Sequence, residues 1–198
     1  MTRILVGARH NGLMSESGVR PARMTDVDGV GEVNLASWRE RLSGILPDEV
    51  LMSLSADDLA MAWASGVMNP PSPRHRLLVA AEDGRVLGYI ALAPCTDPDS
   101  DDRTGEIVAL EVDPAHQRQG HGSRLMTAAV DVARTEGFVS LAVWCPLADE
   151  TRRAFWQSAG WEPDTALRDL LMSDDPTDEE EPTVLREARL MVAISDQG

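Results

Sequence analysis

The chain contains no lysine. All 18 of its basic residues are arginine, set against 33 aspartates and glutamates, for a formal net charge of −15. That lack of positive charge excludes a sequence-independent nucleic-acid binder, which needs a basic surface to displace counterions from phosphate. It suits a cationic ligand instead. Cysteine is scarce as well: Cys95 and Cys145 cannot build a disulfide framework. Both read as reduced, partly buried thiols of a cytosolic chain. Aromatic residues make up 4%, with Tyr89 the single tyrosine. No apolar run reaches the roughly 18 residues of a bilayer span. The first 18 residues hold only Ile4 to Val6 as an apolar patch, short of the about 7–15 residues of a secretory core. The expectation is a cytoplasmic protein with neither a nucleic-acid nor a membrane partner.

What is present is an ordinary globular composition, 43% hydrophobic and 26% charged over 198 residues. Residues 1–17 are polar and aperiodic and read as a flexible extension. Residues 18–198 read as one mixed α/β domain. Val19 to Met24 is predicted as a strand. Thr25, with Asp28 three residues on, resembles a capping box for a helix whose apolar face is Val27, Val30, Val33, Asn34 and Trp38. Helices follow over 48–54 and 55–68, the latter stopped by Asn69-Pro70-Pro71. Strands over 76–81 and 85–93 flank Asp83-Gly84, a hairpin signal. Glu106 to Val112 is a further strand, 123–136 a helix stopped by Gly137, and 139–144 an apolar strand. A helix over 149–159 and strands over 161–171 and 184–194 complete the chain.

The chemistry concentrates between Glu106 and Trp161. A strand runs into Gln117-Arg118-Gln119-Gly120-His121-Gly122, and a helix follows near Ser123. Glycines let the backbone approach an anion closely, several N–H groups then point into one concavity, and the helix adds the positive end of its dipole. Arg118 and Arg124 can add charge. The loop is neither a Walker loop nor a dinucleotide fingerprint.

Leu110-Glu111-Val112-Asp113-Pro114 with Gln117-x-x-Gly120-x-Gly122 resembles the acyl-CoA pyrophosphate motif of the GNAT acyltransferase superfamily. Phe155-Trp156-x-x-x-Gly160-Trp161 resembles its second motif. Val19-Arg20-Pro21-Ala22 and Trp38 with Gly44-Ile45-Leu46-Pro47 look like the opening of bacterial members. The resemblance spans about residues 18–194. It implies a mixed, mostly antiparallel sheet splayed between its fourth and fifth strands, helices on both faces, and acetyl-CoA as cosubstrate in the opening, with no metal. Leu110 and Val112 would meet the pantetheine arm and acyl carbonyl through their backbones. Gln117, Arg118, Gln119, Gly120, His121, Gly122 and Ser123 would hold the pyrophosphate. Asp149 stands where members often carry an asparagine near the cofactor. Trp156 stands where a tyrosine usually protonates the leaving thiolate, and an indole N–H is far too weak an acid for that. A thiol pKa near 8.5 makes thiolate a tolerable leaving group without one.

The activity implied is acetyl transfer from acetyl-CoA to a primary amine by direct attack in a ternary complex. A non-catalytic acyl-CoA-binding module and a protein-modifying acetyltransferase are the alternatives. The chain would act as a monomer or homodimer. The amine needs a base. Glu106 is the first candidate and Glu111 the second. On a regular strand the two point to opposite faces, so one at most would face the cleft unless a bulge intervenes. The Val112 N–H would meet developing negative charge on the acyl oxygen. The acidic loop 97–102 and the segment 174–181 would draw in a small cationic amine. Asp97, Asp99 and Asp101 mimic the start of a calcium loop, but Asp102 and Val108 stand where glycine and glutamate are needed, so the loop reads as solvated. His75 reads as exposed, and His116 and His121 as solvent- or phosphate-facing. Tyr89, Cys145 and the tryptophans at 38, 63, 144 and 161 read as packing.

Overall fold

A computed structural model of the chain describes residues 18–171 and 184–194. The extension expected over 1–17 and the acidic segment 174–181 lie outside the described residues. Among the described residues, seven strands form one sheet: β1 (Gly18–Pro21), β2 (Arg76–Glu82), β3 (Arg85–Pro94), β4 (Thr104–Val112), β5 (Ser140–Pro146), β6 (Glu162–Leu171) and β7 (Val184–Ala193). Their order is β1-β2-β3-β4-β5-β7-β6. Every neighbouring pair is antiparallel except β4 and β5, which run parallel. The helices are α1 (Val27–Arg41), α2 (Asp48–Ser53), α3 (Ala56–Met68), α4 (His121–Thr135) and α5 (Glu150–Ser158), with short 3₁₀ turns at Met24–Asp26 and Pro114–His116.

Local signals set most of these elements. Asp83 and Gly84 both have positive φ, 50° and 81°, the conformation of a tight hairpin whose twist matches its strands. The Ser55 side chain accepts from the Asp58 N–H at 3.1 Å and starts α3. The entry to α1 departs from expectation. The first strand stops at Pro21, and Asp26, not Thr25, stands at the N-cap of α1, its side chain turned back to the preceding turn. Asp26 accepts from the Arg23 N–H at 2.7 Å and takes Arg20 in a two-armed ion pair at 2.7 and 2.9 Å. A charged bidentate pair beats a lone hydroxyl at this nearly buried position. Hydrogen bonding by Arg20 holds the Asp26 carboxyl below its ordinary value of 3.8. Helix α4 starts at His121, two residues before the expected Ser123.

Two cores sandwich the sheet. One face meets α4 and α5 through Leu78, Ile90, Ile107, Leu110, Leu125, Leu141, Val143, Trp156 and Leu190. The other meets α1 and α3 through Val30, Val33, Val79, Val86 and Tyr89, with Trp63 packed on. Helices α1 and α3 cross at Gly31, where a Cβ would lie 2.4 Å from the Ala56 carbonyl oxygen and 2.9 Å from the Ala60 Cβ. Gly31→Ala should therefore destabilise the protein by about 1–3 kcal/mol through overpacking. A denaturant midpoint equal to the parent's would refute this.

Strand β4 carries the decisive irregularity. Ala91 pairs with Ala109, yet the next residue, Leu92, pairs with Ile107, so Val108 is a bulge. Ile107 and Leu110 enter the α4 side, while Ala109 packs toward α1. The extra residue shifts the alternation by one. Glu106 and Glu111 therefore share the α1 face of the strand. The bulge removes the opposition that a regular strand would impose on them.

Candidate active site

The strand β4 pairs with β5 at only three positions, the last being Glu106 with Ala142. Beyond them the two strands part, and a wedge opens through the sheet toward the carboxyl end of β4. Leu110 is buried on the α4 side of this wedge, and Val112 is half-buried at its mouth.

The loop after β4 is pinned by its own side chains. Asp113 accepts from the Ala115 N–H, from Arg85 at 2.9 Å and from His116 Nδ1 at 2.9 Å. Gln117 reaches back to Glu40 at 2.9 Å. Arg118 (φ 60°) and Gly120 (φ 82°) take left-handed backbone, and Gly120 is the N-cap of α4. Such alternation turns successive N–H groups to one side and forms an anion nest at a helix N-terminus. Gln117, Arg118, Gln119, Gly120 and Ser123 are exposed around it, and Gly122 is half-buried. A Cβ on Gly122 would lie 3.6 Å from the Phe155 ring of α5, so the glycine keeps the space between α4 and α5 open. This cradle fits a pyrophosphate.

His121 is 6% exposed, and its Nδ1 lies 3.0 Å from Arg124 Nη2. A guanidinium only donates, so Nδ1 accepts and the ring proton is assigned to Nε2. Burial, reinforced by the Arg124 charge, holds this imidazole below its ordinary 6.5. The ring stays neutral and props the guanidinium beside Gly120.

Glu106 is half-buried on the α1 face of β4, where the strands begin to part. Burial raises its carboxyl above the ordinary 4.5; Arg168 opposes the shift, and Asp97 and Glu187 add to it. Around it lies a charge cluster that the sequence did not reveal. Arg189 is 8% exposed and bonds Asp97 (2.9 Å), Asp99 (2.6 Å) and Asp164 (2.6 Å). Trp144 donates from Nε1 to Asp97 at 3.2 Å and carries the Arg168 guanidinium 4.4 Å from its ring centre. Trp144 is thus a partly exposed cleft residue and not core. The 97–102 loop, expected to be solvated, is tied to β7. Arg189→Gln should speed amide exchange across 97–102 on the order of tenfold. Unchanged protection there would show that the loop is held by other contacts.

Glu111 has a different environment. It is 3% exposed, and its oxygens are taken by Ser37 (2.5 Å), Arg41 (3.1 Å) and Arg152 (3.5 Å). Arg41 also lies 3.5 Å from Asp149, which caps α5 by accepting from the Arg152 N–H. Arg152 Nη1 donates to the Leu110 carbonyl at 3.0 Å. Tyr89 is fully buried with its ring edge-on to Trp63, and among the described residues its hydroxyl has no hydrogen-bond partner. Trp156 is fully buried in the core between Phe155 and Trp161. His75 is half-buried against Ser72, and both cysteines are free thiols, with Cys145 buried.

The site therefore brings together a phosphate cradle, a wedge between parallel strands and a half-buried carboxylate. Ser37, Arg41 and Arg152, like Arg168 and Arg189, carry no signal in the sequence that marks them as site residues. Arginines near helix ends look like surface cations until a buried partner is known.

A splayed sheet with an anion nest at the end of its fourth strand is the arrangement that the GNAT motifs implied. Residues 38–161 match the family model described as acetyltransferase (GNAT) family, and the chain belongs to that family. It is similar to the uncharacterized N-acetyltransferase YuaI of Bacillus subtilis (strain 168), at 28% identity over 126 residues, covering 64% of this chain and 69% of that protein. Among solved structures it resembles the PaiA N-acetyltransferase of Thermoplasma acidophilum in complex with coenzyme A. That match has a TM-score of 0.64 at 17% identity and covers 88% of this chain and 97% of that one. It also resembles YncA, a putative acetyltransferase from Salmonella typhimurium with acetyl-CoA, with a TM-score of 0.63 at 20% identity, covering 93% and 97%. These likenesses bear out the GNAT fold read from the motifs. No helix among the described residues is long and apolar enough to cross a membrane.

Proposed function

We propose that this protein transfers an acetyl group from acetyl-CoA to the primary amine of a small cationic acceptor, by direct attack in a ternary complex. The observation that carries the reading is Glu106: a half-buried carboxylate with a raised pKa, beside the wedge, on the face away from the phosphate cradle. A cosubstrate held at 117–123 would enter from the α4 side, and the acceptor would approach from the α1 side. Gly120, His121, Gly122 and Ser123 would hold the pyrophosphate. Leu110 and Val112 would line the path of the pantetheine arm. Glu106 would take the amine proton.

The acceptor class follows from charge. Five carboxylates, those of Asp97, Asp99, Glu106, Asp164 and Glu187, share this region with two guanidiniums, those of Arg168 and Arg189. Such a surplus concentrates a cationic amine and repels an acidic one. Calorimetry with acetyl-CoA, then thiol release across a panel of cationic, neutral and acidic amines, tests the reading. Cationic amines should react best, with apparent affinity falling steeply above ~0.15 M salt, where the screening length is about 8 Å. A preference for acidic amines without salt dependence overturns the acceptor class. Tight acetyl-CoA binding with no thiol release from any amine or protein would mark a non-catalytic binding module.

A further inference from the structure

The usual proton donor to the leaving sulfur is replaced here by an indole, and the indole is out of reach. Trp156 packs edge-on between Phe155 and Trp161, wholly buried, with Nε1 unpartnered among the described residues. One turn earlier on α5 stands Arg152, whose side chain threads the wedge. Its helix lies on the α4 side of the sheet. Its Nη1 donates to Leu110 O, on the rim of the wedge, and reaches Glu111 on the α1 face. The guanidinium thus occupies the passage through which an acyl group would have to be presented to an acceptor.

Its hydrogen bonds to Leu110 and Glu111 both run through Nη1, and among the described residues no acceptor takes the Nε and Nη2 protons, so they can serve a further one. The thiol of Cys145 on β5 feels the Arg152 charge, which acts against burial there. Burial pushes that thiol up to about 11, so it stays protonated. Arg41, Glu111 and Asp149 complete a set of two positive and two negative groups. A wedge built this way keeps a permanent cation beside the sulfur path without carrying uncompensated charge at rest.

Resting on the acetyl-transfer reading above, we propose that Arg152 stabilises the leaving thiolate of CoA by charge and hydrogen bonding, in place of a proton donor. The amine nitrogen bonds to the acetyl carbon, and its proton passes to Glu106. The carbon–sulfur bond breaks, and its electron pair stays on sulfur. Arg152 gives up no proton, since a guanidinium does not deprotonate in this range. CoA leaves as thiolate and takes its proton from water afterwards.

The test is a titration of the CoA thiol bound to the intact protein, with no amine present. Ionisation is followed by thiolate absorbance against the desulfo-CoA complex. In the parent the bound thiol should ionise at least ~1 pH unit below the ordinary value of about 8.5, the Arg152 charge outweighing burial and the neighbouring Glu111 and Asp149 carboxylates, which act the other way. Arg152→Gln should return it to the ordinary value or above, and Arg152→Lys should keep most of the depression. An undepressed thiol in the parent overturns the proposal, and that measurement needs no variant to fold. Equal titrations in parent and Arg152→Gln overturn it too. In both cases the acetyl-transfer reading survives if amines are still acetylated. If Arg152→Gln fails to fold, the pair Arg152→Met with Glu111→Gln removes both buried charges together, and a depression that persists there overturns the proposal. Failure of CoA to bind the parent at all overturns both readings.

Discussion

Replacing Glu106 with glutamine should lower turnover by ~10²–10⁴-fold, the range for loss of a general base, and leave acetyl-CoA affinity unchanged. Glutamine keeps the shape and cannot accept the amine proton. The pH dependence gives the result its signature. Burial raises the Glu106 carboxyl above 4.5, and a base works only when ionised. The acid limb of the parent's kcat/KM profile should therefore sit above the ordinary carboxylate range and vanish in the variant. Stability should move the other way. A carboxyl whose pKa is raised on folding favours the folded state while protonated, and loses that contribution as pH rises through the folded pKa. At neutral pH the ionised Glu106 is thus a cost, and Glu106→Gln should melt no lower than the parent. The rival base, Glu111, has its oxygens already engaged by Ser37, Arg41 and Arg152. Its removal should damage the fold before the chemistry. Unchanged turnover of Glu106→Gln at neutral pH would move the base elsewhere.

Gly120→Val should abolish tight CoA binding and leave a folded protein. A β-branched residue at φ 82° is strained by roughly 1–2 kcal/mol, which a domain survives. The added Cβ would meet nothing closer than Arg124 Nη1 at 3.5 Å, an ordinary contact. What is lost is the concavity. A relaxed backbone turns its N–H groups away, and side-chain bulk fills the approach. Each hydrogen bond to a charged group contributes about 1.5–3 kcal/mol, so losing one weakens binding by roughly ten- to a hundredfold. Calorimetry with CoA, paired with circular dichroism to establish folding, reads the outcome. A folded Gly120→Val protein that binds acetyl-CoA like the parent would remove the phosphate cradle from the argument.

The sheet and its helices were legible because their signals are local. The Asp83-Gly84 turn, the Ser55 cap and the apolar run Leu141 to Val143 each constrain a few neighbouring residues. The cradle was legible for the same reason, since Gln117 to Ser123 is one continuous loop. The side chains that surround the chemistry were not. Arg152 meets Leu110 and Glu111 across 42 and 41 positions of chain, and Arg189 meets Asp97 across 92. No periodicity encodes such pairs, because they depend on how separate elements stack. The entry to α1 differs from its local pattern for another reason. Thr25 with Asp28 fits the pattern, but the tertiary contact from Arg20 to Asp26 outweighed it.

Val108 acts as a phase break in its strand. The segment before it and the segment after it are each in register with themselves but out of step with one another. Lengthening β4 by one residue between Glu106 and Glu111, or removing Val108, would do more than stretch or shorten a strand. Either change would reverse one segment against the other and send one carboxylate through to the cofactor side. Ordinary point substitution cannot make that exchange. Deleting Val108 should therefore turn one carboxylate to the opposite face, and a two-residue change should leave both where they are.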